Sequence, residues 1–359
     1  MLLAAAAACA GPDPVVIGVA GPFSQPRGVS MKLAAELARD ELNEAGGAGG
    51  RPIELRFIDD SASPDVAVRA AQAFVQDRAV VAVIGHLTSG ATLAAAPVYD
   101  GAADPVPMVT PSASSPEITR AGEYIFRVCP SDLMHGMQLG EFAAQRLGAQ
   151  RVAILYHNDG YGRGVRRSFS TRFRARGGTV VFESPYLPDV FTVPVYLERV
   201  ARGGGIDALF IGGNRAEAER ILRAMDSLGI DLPVLGADGM SGIGVPAGMS
   251  APIYISSMYT ADRPETRSRE FVAAYGRRHP GRVPDHRGAA AYDIVRLLAR
   301  AIESVGTGRA DLRDYLAGVG TASDAFEGVI GPIAFDENGD ARGGRVDVLS
   351  AGAANPGAR

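Results

Sequence analysis

The sequence predicts an α/β fold in which parallel sheets are covered by helices on both faces. Short β-branched runs alternate with helical stretches from Val15 onward, which is the pattern of consecutive βαβ units. The same alternation starts again near residue 152, which indicates a second lobe of the same kind. The chain has 359 residues, enough for about two domains that each bury a core.

The first lobe begins with a strand over 15–19. The helix after it has apolar residues at helical spacing and ends at Gly46-Gly47. A second strand follows over 53–58. Ser63-Pro64-Asp65 then combines an N-cap oxygen, a proline at the first helical position and an acid at the positive helix end, which predicts a helix start. Three more strands are expected at 80–84, 108–110 and 124–128.

The second lobe has the same organisation. Four strands are expected at 152–156, 179–182, 206–211 and 234–235, with helices between them. After a strand at 253–255, two further helices are expected at about 265–278 and 288–304. Asn338-Gly339 lies between apolar runs at 332–335 and 346–349, a pattern that predicts a β-hairpin.

Composition and the N-terminus narrow the functional classes. A net charge of −4, with no long blocks of like charge, argues against a nucleic-acid partner. Beyond the N-terminus, no apolar stretch is long enough for a membrane-spanning helix.

Small residues before Cys9 resemble a bacterial lipoprotein cleavage site, so we expect residues 1–13 to be a signal or lipoprotein leader and Cys9 to be lipidated. The other cysteine, Cys129, is expected to be buried and inert. Residues 351–359 are expected to be a disordered tail.

Enzyme signatures fail on inspection. Gly160-Tyr161-Gly162-Arg163-Gly164 lacks the third glycine of a dinucleotide-binding turn, because position 165 is Val. Lys32 is the only lysine, and no phosphate-binding loop sequence surrounds it. The five histidines form no close metal-ligand pair. The sequence therefore predicts a protein without catalytic residues, metal or cofactor.

Polar loops after two neighbouring strands are the remaining candidates for a site. The loop 86–90 follows a buried strand and enters a helix, so the Ser89 hydroxyl and the first free N–H groups could hold a carboxylate. The loop 110–116 follows the next strand. Ligands in open α/β sheets collect at the carboxyl ends of strands, where both loops lie. Helix capping alone would explain the same residues equally well.

Several segments together resemble one protein family. Their order and spacing over nearly all of 14–350 are similar to those of the periplasmic solute-binding proteins of the branched-chain amino acid ABC transporter type. The segments are Asn43-Glu44-Ala45-Gly46-Gly47, Gly50-Arg51-Pro52-Ile53-Glu54-Leu55, Asp59-Asp60, residues 83–89, residues 111–119, Asp159-Gly160-Tyr161-Gly162 and residues 331–340.

The resemblance implies a type I periplasmic-binding-protein fold, in which two Rossmann-like lobes are joined by three crossovers and close on a ligand between them. Lobe one would comprise 14–128 and 257–330, and lobe two 129–256 and 331–350. It also implies a substrate-binding subunit that captures an amino acid, either branched-chain and aliphatic or more polar, or a close analogue, and delivers it to ABC permease subunits. A monomer in the periplasm or cell envelope is expected, anchored through Cys9. A sensor of the same fold that binds an amide or another small molecule remains an alternative.

The resemblance also assigns ligand-binding residues. The α-carboxylate and α-ammonium of an amino acid would be held by Ser89, by the loop residues Ser112, Ala113 and Ser114, by Tyr161 and by Asp238. Hydroxyl and backbone N–H groups suit the carboxylate, and the Asp238 carboxylate suits the ammonium. A solvated turn acid would be the ordinary interpretation of Asp238 in its Asp-Gly pair.

The departures from the family pattern concern selectivity. Asn214 follows Gly212-Gly213 where the leucine-type proteins tend to have an aromatic residue, and His286-Arg287 lies near a second aromatic position. An Arg287 that reaches the ligand would favour a ligand with a side-chain carboxylate or a polar amide; a surface arginine is the alternative. The disulfide of some members is absent, since Ala62 and Thr88 occupy its places.

Overall fold

The structure is a computed structural model that describes residues 12–187, 192–202 and 204–351. Cys9 with nearly all of the predicted leader, and the tail after residue 351, lie outside the described residues. Within the described ranges, no helix is both long and apolar enough to cross a bilayer.

The first lobe is built on a five-stranded parallel sheet with the order β2-β1-β3-β4-β5. Its strands are β1 (Val15–Gly21), β2 (Ile53–Asp59), β3 (Val80–Ile84), β4 (Met108–Thr110) and β5 (Ile125–Arg127). Its helices are α1 (Pro26–Glu44), α2 (Pro64–Gln76) and α3 (Ser89–Asp100), with a short 3-10 helix at Pro116–Ile118. Strands β1 and β3 are buried along their whole length, because helices cover both faces of the sheet.

The second lobe has a six-stranded sheet with the order β13-β10-β9-β8-β6-β7. Its strands are β6 (Arg151–His157), β7 (Thr179–Tyr186), β8 (Ala208–Gly212), β9 (Val234–Gly236), β10 (Ile253–Ser257) and β13 (Asp347–Ser350). Its helices are α4 (Asp132–Gln145), α5 (Gly160–Ala175), α6 (Val193–Arg202) and α7 (Arg215–Ser227), with a 3-10 turn at Asp238–Met240. All strand pairs are parallel except β10 with β13.

After β10 the chain returns to the first lobe. Helices α8 (Thr266–Arg278), α9 (His286–Val305) and α10 (Arg309–Gly318) follow. Helix α9 is buried along most of its length and packs on α1, and its apolar residues belong to the same core as β1 and β3. Residues 286–295, the first half of the helix, are all buried, so this half lies inside the core.

The predicted hairpin around Asn338-Gly339 is only partly correct. A turn forms there, with a bridge between Phe335 and Ala341. The second apolar run does not pair back across the turn, however. It forms β13, which pairs antiparallel with β10 and becomes the edge of the second sheet. The first run instead forms a small antiparallel pair, β12 (Pro332–Ile333) with β11 (Phe326–Glu327).

The exact division of the chain between the lobes stays a prediction. The chain crosses between the lobes more than once, because α8–α10 return to the first core and β13 then returns to the second sheet. Ile333 and Phe335, which the family resemblance placed in lobe two, pack with the core of the first sheet.

Candidate ligand-binding cleft

A cleft of about 250 Å³ lies between the two lobes, at the carboxyl ends of both sheets. Six helices begin beside it, and each contributes a residue from its first turn or its N-cap; α2 contributes Pro64, and the other five contribute polar side chains. These residues are Arg27 of α1, Ser89 of α3, Tyr161 of α5, Asn214 at the N-cap of α7 and Arg287 of α9. Helix N-termini carry partial positive charge and unpaired N–H groups, so their convergence favours an anionic ligand group.

On the first lobe, Ser89 is held by the neighbouring loop. Its side chain is buried, and its Oγ accepts a hydrogen bond from the backbone N–H of Ser115 at 3.1 Å. Two contacts of His86 hold the loop between β3 and α3 in place. The His86 ring lies 2.6 Å from the Asp60 carboxylate, and the His86 carbonyl accepts a hydrogen bond from Thr110 Oγ1 at 2.6 Å. The loops after β3 and β4 therefore form one rigid wall.

The three predicted residues of the loop after β4 have different positions. Ser112 lines the cleft, and its Oγ lies 3.4 Å from Nε2 of His286. Ala113 donates its backbone N–H to Thr110 Oγ1 at 3.1 Å, and Ser114 is buried. Neither Ala113 nor Ser114 is among the residues that line the cleft. Their role in ligand binding stays a prediction, as does that of Ser112.

On the second lobe, Tyr161 and Asp238 lie in direct contact. The Tyr161 hydroxyl donates to Oδ1 of Asp238 at 3.1 Å and accepts from the backbone N–H of Gly239 at 2.8 Å. Asp159 holds the start of α5, since its Oδ1 accepts from the N–H of Gly162 at 2.7 Å. Gly162 is required here, because a Cβ would lie 2.1 Å from the carbonyl oxygen of His157. This packing fixes the position of Tyr161.

Asp238 also faces two basic residues of the first lobe. Its Oδ2 lies 3.5 Å from Nε2 of His286, and its carbonyl oxygen accepts from Nη2 of Arg287 at 3.3 Å. Burial disfavours the charged form of Asp238. Attraction to His135 and His286, when these are protonated at low pH, and to Arg287 outweighs burial and holds the carboxyl pKa below its ordinary value. Burial and the Arg287 charge lower the pKa of His286 to about 4. Asp238 is therefore a carboxylate at neutral pH, and His286 a neutral ring.

Asn214 and Arg287, predicted to set selectivity, both line the cleft. Arg287 is 8% exposed, so the alternative of a surface arginine is wrong. Its Nη1 donates to Oδ2 of Asp285 at 3.0 Å, and the same Asp285 carboxylate caps α9. Asn214 accepts from Nη1 of Arg27 at 3.3 Å, a contact that joins the lobes.

Three ionisable lining residues were not among the predicted ligand-binding residues: Arg27, His157 and Asp159. His157 Nδ1 lies 3.1 Å from Oδ2 of Asp159. Burial opposes protonation of His157, but Asp159 outweighs it and raises the imidazole pKa. The position of His157 at the end of β6 was the available signal, since strand ends are where ligands bind in such sheets. Arg27 had a similar signal, since it lies in the first turn of the helix that follows β1, but only the structure shows that this turn meets the second lobe at Asn214.

The described residues offer no metal site, since no group of three His, Cys, Asp or Glu side chains among them could hold an ion. Cys129 is buried, and burial raises the pKa of its thiol. The arrangement suits reversible binding, with two carboxylates, two guanidinium groups, hydroxyls and helix N-termini around one small space.

Comparison with known proteins agrees with this geometry. The profile of a family described as "Periplasmic binding protein" matches residues 14–347. A leucine-, isoleucine-, valine-, threonine- and alanine-binding protein of Pseudomonas aeruginosa is 29% identical over 338 residues, covering 91% of this chain and 87% of that protein.

Solved structures show the same likeness. An ABC transporter substrate-binding protein from Desulfitobacterium hafniense in complex with Leu is 32% identical, with a TM-score of 0.80, and the match covers 94% of this chain and 97% of that one. A solute-binding protein of an ABC transporter from Rhodopseudomonas palustris BisB5, in complex with 3,4-dihydroxybenzoic acid, is 25% identical with a TM-score of 0.83, over 94% and 93% of the two chains. The predicted type I fold is confirmed, and the chain belongs to the periplasmic binding protein family.

Proposed function

We propose that this chain is the substrate-binding subunit of an ABC transporter, which captures an amino acid or a close analogue between its lobes and delivers it to a membrane permease. The relatives with this description bind amino acids or small carboxylic acids and cover nearly the whole chain. Such a protein performs no chemistry on its ligand. Its family implies a periplasmic location, and lipidation of Cys9 would keep it at the membrane beside the permease.

The observation that carries the proposal is the placement of Ser89 and Asp238 on opposite sides of one cleft. Ser89 begins α3, where the free N–H groups and the hydroxyl can donate to a carboxylate. Asp238 supplies the opposite charge for an ammonium, and Tyr161 orients it. The two ends of a zwitterion would thus be held by different lobes, so the ligand stabilises the closed arrangement over an open one.

The test is a titration of the purified protein with each of the 20 standard amino acids and a set of small carboxylic acids. Binding is measured by calorimetry and by the shift in thermal unfolding. A ligand at 100 times its dissociation constant should add about 2.7 kcal/mol to the free energy of unfolding. Ser89→Ala should weaken binding by about tenfold or more, because it removes a hydrogen bond to a charged group.

Ser227→Ala is the matched control, since Ser227 is exposed on α7 away from the cleft and bonds only within its own helix. It should bind like the parent protein. If no amino acid and no carboxylic acid binds, the proposal is wrong.

A further inference from the structure

One end of the cleft carries two arginines from different helices. Arg27 lies in the first turn of α1 and Arg287 in the first turn of α9, and both line the cleft together with Asn214. Burial and the repulsion of Arg287 lower the pKa of Arg27, so each guanidinium feels the positive charge of the other. Two like charges held together in a partly buried space are unfavourable without an anion between or beside them.

The carboxylates do not balance these charges equally. Arg287 has an ion pair with Asp285. Arg27 has no ion pair with any residue that the structure describes; its Nε donates to Gln25 at 2.8 Å and its Nη1 to Asn214 at 3.3 Å, both neutral amides. The two carboxylates that line the cleft have other partners. Asp159 caps α5 and contacts His157, and Asp238 accepts from Tyr161.

A neutral zwitterion would leave this imbalance in place. Its ammonium would take Asp238 and its carboxylate would take the start of α3, and Arg27 would keep only the attraction of Glu217, Asp60 and Asp159, none of which forms an ion pair with it among the described residues. The aliphatic side chains in the lining are those of Ala62, Pro64 and Leu87, none of which belongs to α1, α7 or α9. A branched side chain would therefore meet guanidinium and amide groups at this end, and burying these without a polar partner costs free energy.

We propose that the cleft selects an amino acid with a carboxylate in its side chain, which Arg27 and Arg287 hold, while Asp238 and Ser89 hold the ammonium and the α-carboxylate. The inference rests on the proposed function and specifies its substrate. The planar fork of arginine matches the geometry of a carboxylate, and the Asn214 amide beside it can add a hydrogen bond.

The test compares pairs of ligands that differ in charge and little in shape, glutamate with glutamine and aspartate with asparagine, with leucine as the branched-chain reference. Dissociation constants are measured by calorimetry on the parent protein, on Arg27→Gln and on Arg202→Gln. Arg202 is the matched control, because it is exposed on α6 and, among the described residues, pairs with Glu198 one turn away.

In the parent protein, at least one acid should bind tenfold or more tightly than its own amide, which corresponds to about 1.4 kcal/mol. Arg27→Gln should reduce that ratio to near one by weakening the acid, with the amide little changed. Arg27→Lys keeps the charge and should retain part of the preference. Arg202→Gln should leave the ratio unchanged. Unfolding curves without ligand will show that each variant is folded.

Three results would overturn the inference. In the first, leucine or another neutral amino acid binds well and neither acid does, so the proposed function stands and the specificity is wrong. In the second, Arg27→Gln weakens acid and amide equally, so Arg27 only joins the lobes through Asn214. In the third, neither amino acids nor carboxylic acids bind, and the proposed function falls as well.

Discussion

The replacement of Asp238 by asparagine is the most direct test of the proposed ligand geometry. The side chain is 3% exposed, so water cannot take its place beside a bound ammonium. Asparagine has almost the same shape and can still accept the Tyr161 hydrogen bond, but it carries no charge. The variant therefore removes the electrostatic contact and preserves the packing.

The expected loss follows from the burial of the pair. Two unit charges 4 Å apart attract by about 4 kcal/mol at an effective dielectric constant of 20. Truncation of one partner of a buried charge pair typically costs about 2–5 kcal/mol of binding free energy. We therefore expect Asp238→Asn to weaken amino-acid binding by roughly 30-fold to a few thousandfold.

Calorimetry on the parent, Asp238→Asn and Asp262→Asn would measure this loss. Asp262 is exposed in the loop after β10 and should behave like the parent. A second ligand without the amino group, such as the corresponding simple acid, should bind both proteins with similar affinity, since it has no ammonium to lose. An Asp238→Asn dissociation constant within about threefold of the parent value would refute the assigned role.

Three further predictions concern the scaffold around the cleft. Arg127 is 1% exposed, pairs with Asp340 at 2.6 Å and donates to the Ser115 carbonyl at 2.8 Å. Arg127→Met should therefore lower the free energy of unfolding, measured with urea, by about 3–5 kcal/mol and loosen the loop that holds Ser89. An unchanged urea midpoint would contradict this. Phe210 is fully buried and stacks on another phenyl ring at 4.1 Å, so Phe210→Ala should cost about 3–5 kcal/mol in the same assay, and a loss below about 1 kcal/mol would mean that the second core repacks. Burial raises the pKa of Asp293 to about 7 despite two backbone N–H donors, so the folded state binds the Asp293 proton more tightly than the unfolded state does. The contribution of Asp293 to the free energy of unfolding should therefore fall as the pH rises from about 4 to about 7, by on the order of 4 kcal/mol at most. Unfolding curves at several pH values should show that the free energy of unfolding depends less on pH in Asp293→Asn than in the parent protein. Parallel pH profiles for the two proteins would contradict this prediction.

The fold was predictable because its signals are local. The alternation of β-branched runs with amphipathic helices identifies βαβ units without reference to distant residues. Start signals such as Ser63-Pro64-Asp65 lie at the observed beginning of α2, which starts at Pro64. The hairpin at Asn338-Gly339 marks the limit of such signals. A turn sequence fixes the turn, but the partner of the strand after it depends on which sheet edge is free, and here that edge belongs to β10.

The site was only partly predictable, because local sequence signals do not determine which distant segments meet. Ser89 and Asn214 follow strands or begin helices, so the general rule for ligand sites in α/β sheets places them near the cleft. Tyr161 and Asp238 were assigned by resemblance, and the structure places them in contact. Ser114 lies in the same loop as Ser112 and is nevertheless buried, because the direction of each side chain in an irregular loop depends on its packing.

What the sequence determines by itself is the α/β class, the two lobes and the strand ends at which a ligand can bind, since these follow from periodicity and chain order. What only the tertiary structure decides is which charges from separate segments meet in the cleft. Arg27 and Arg287 lie 260 positions apart in sequence numbering and come together because α1 and α9 pack side by side in one core. No local pattern encodes that meeting, because it depends on the packing of two whole helices and on the lobe that faces them.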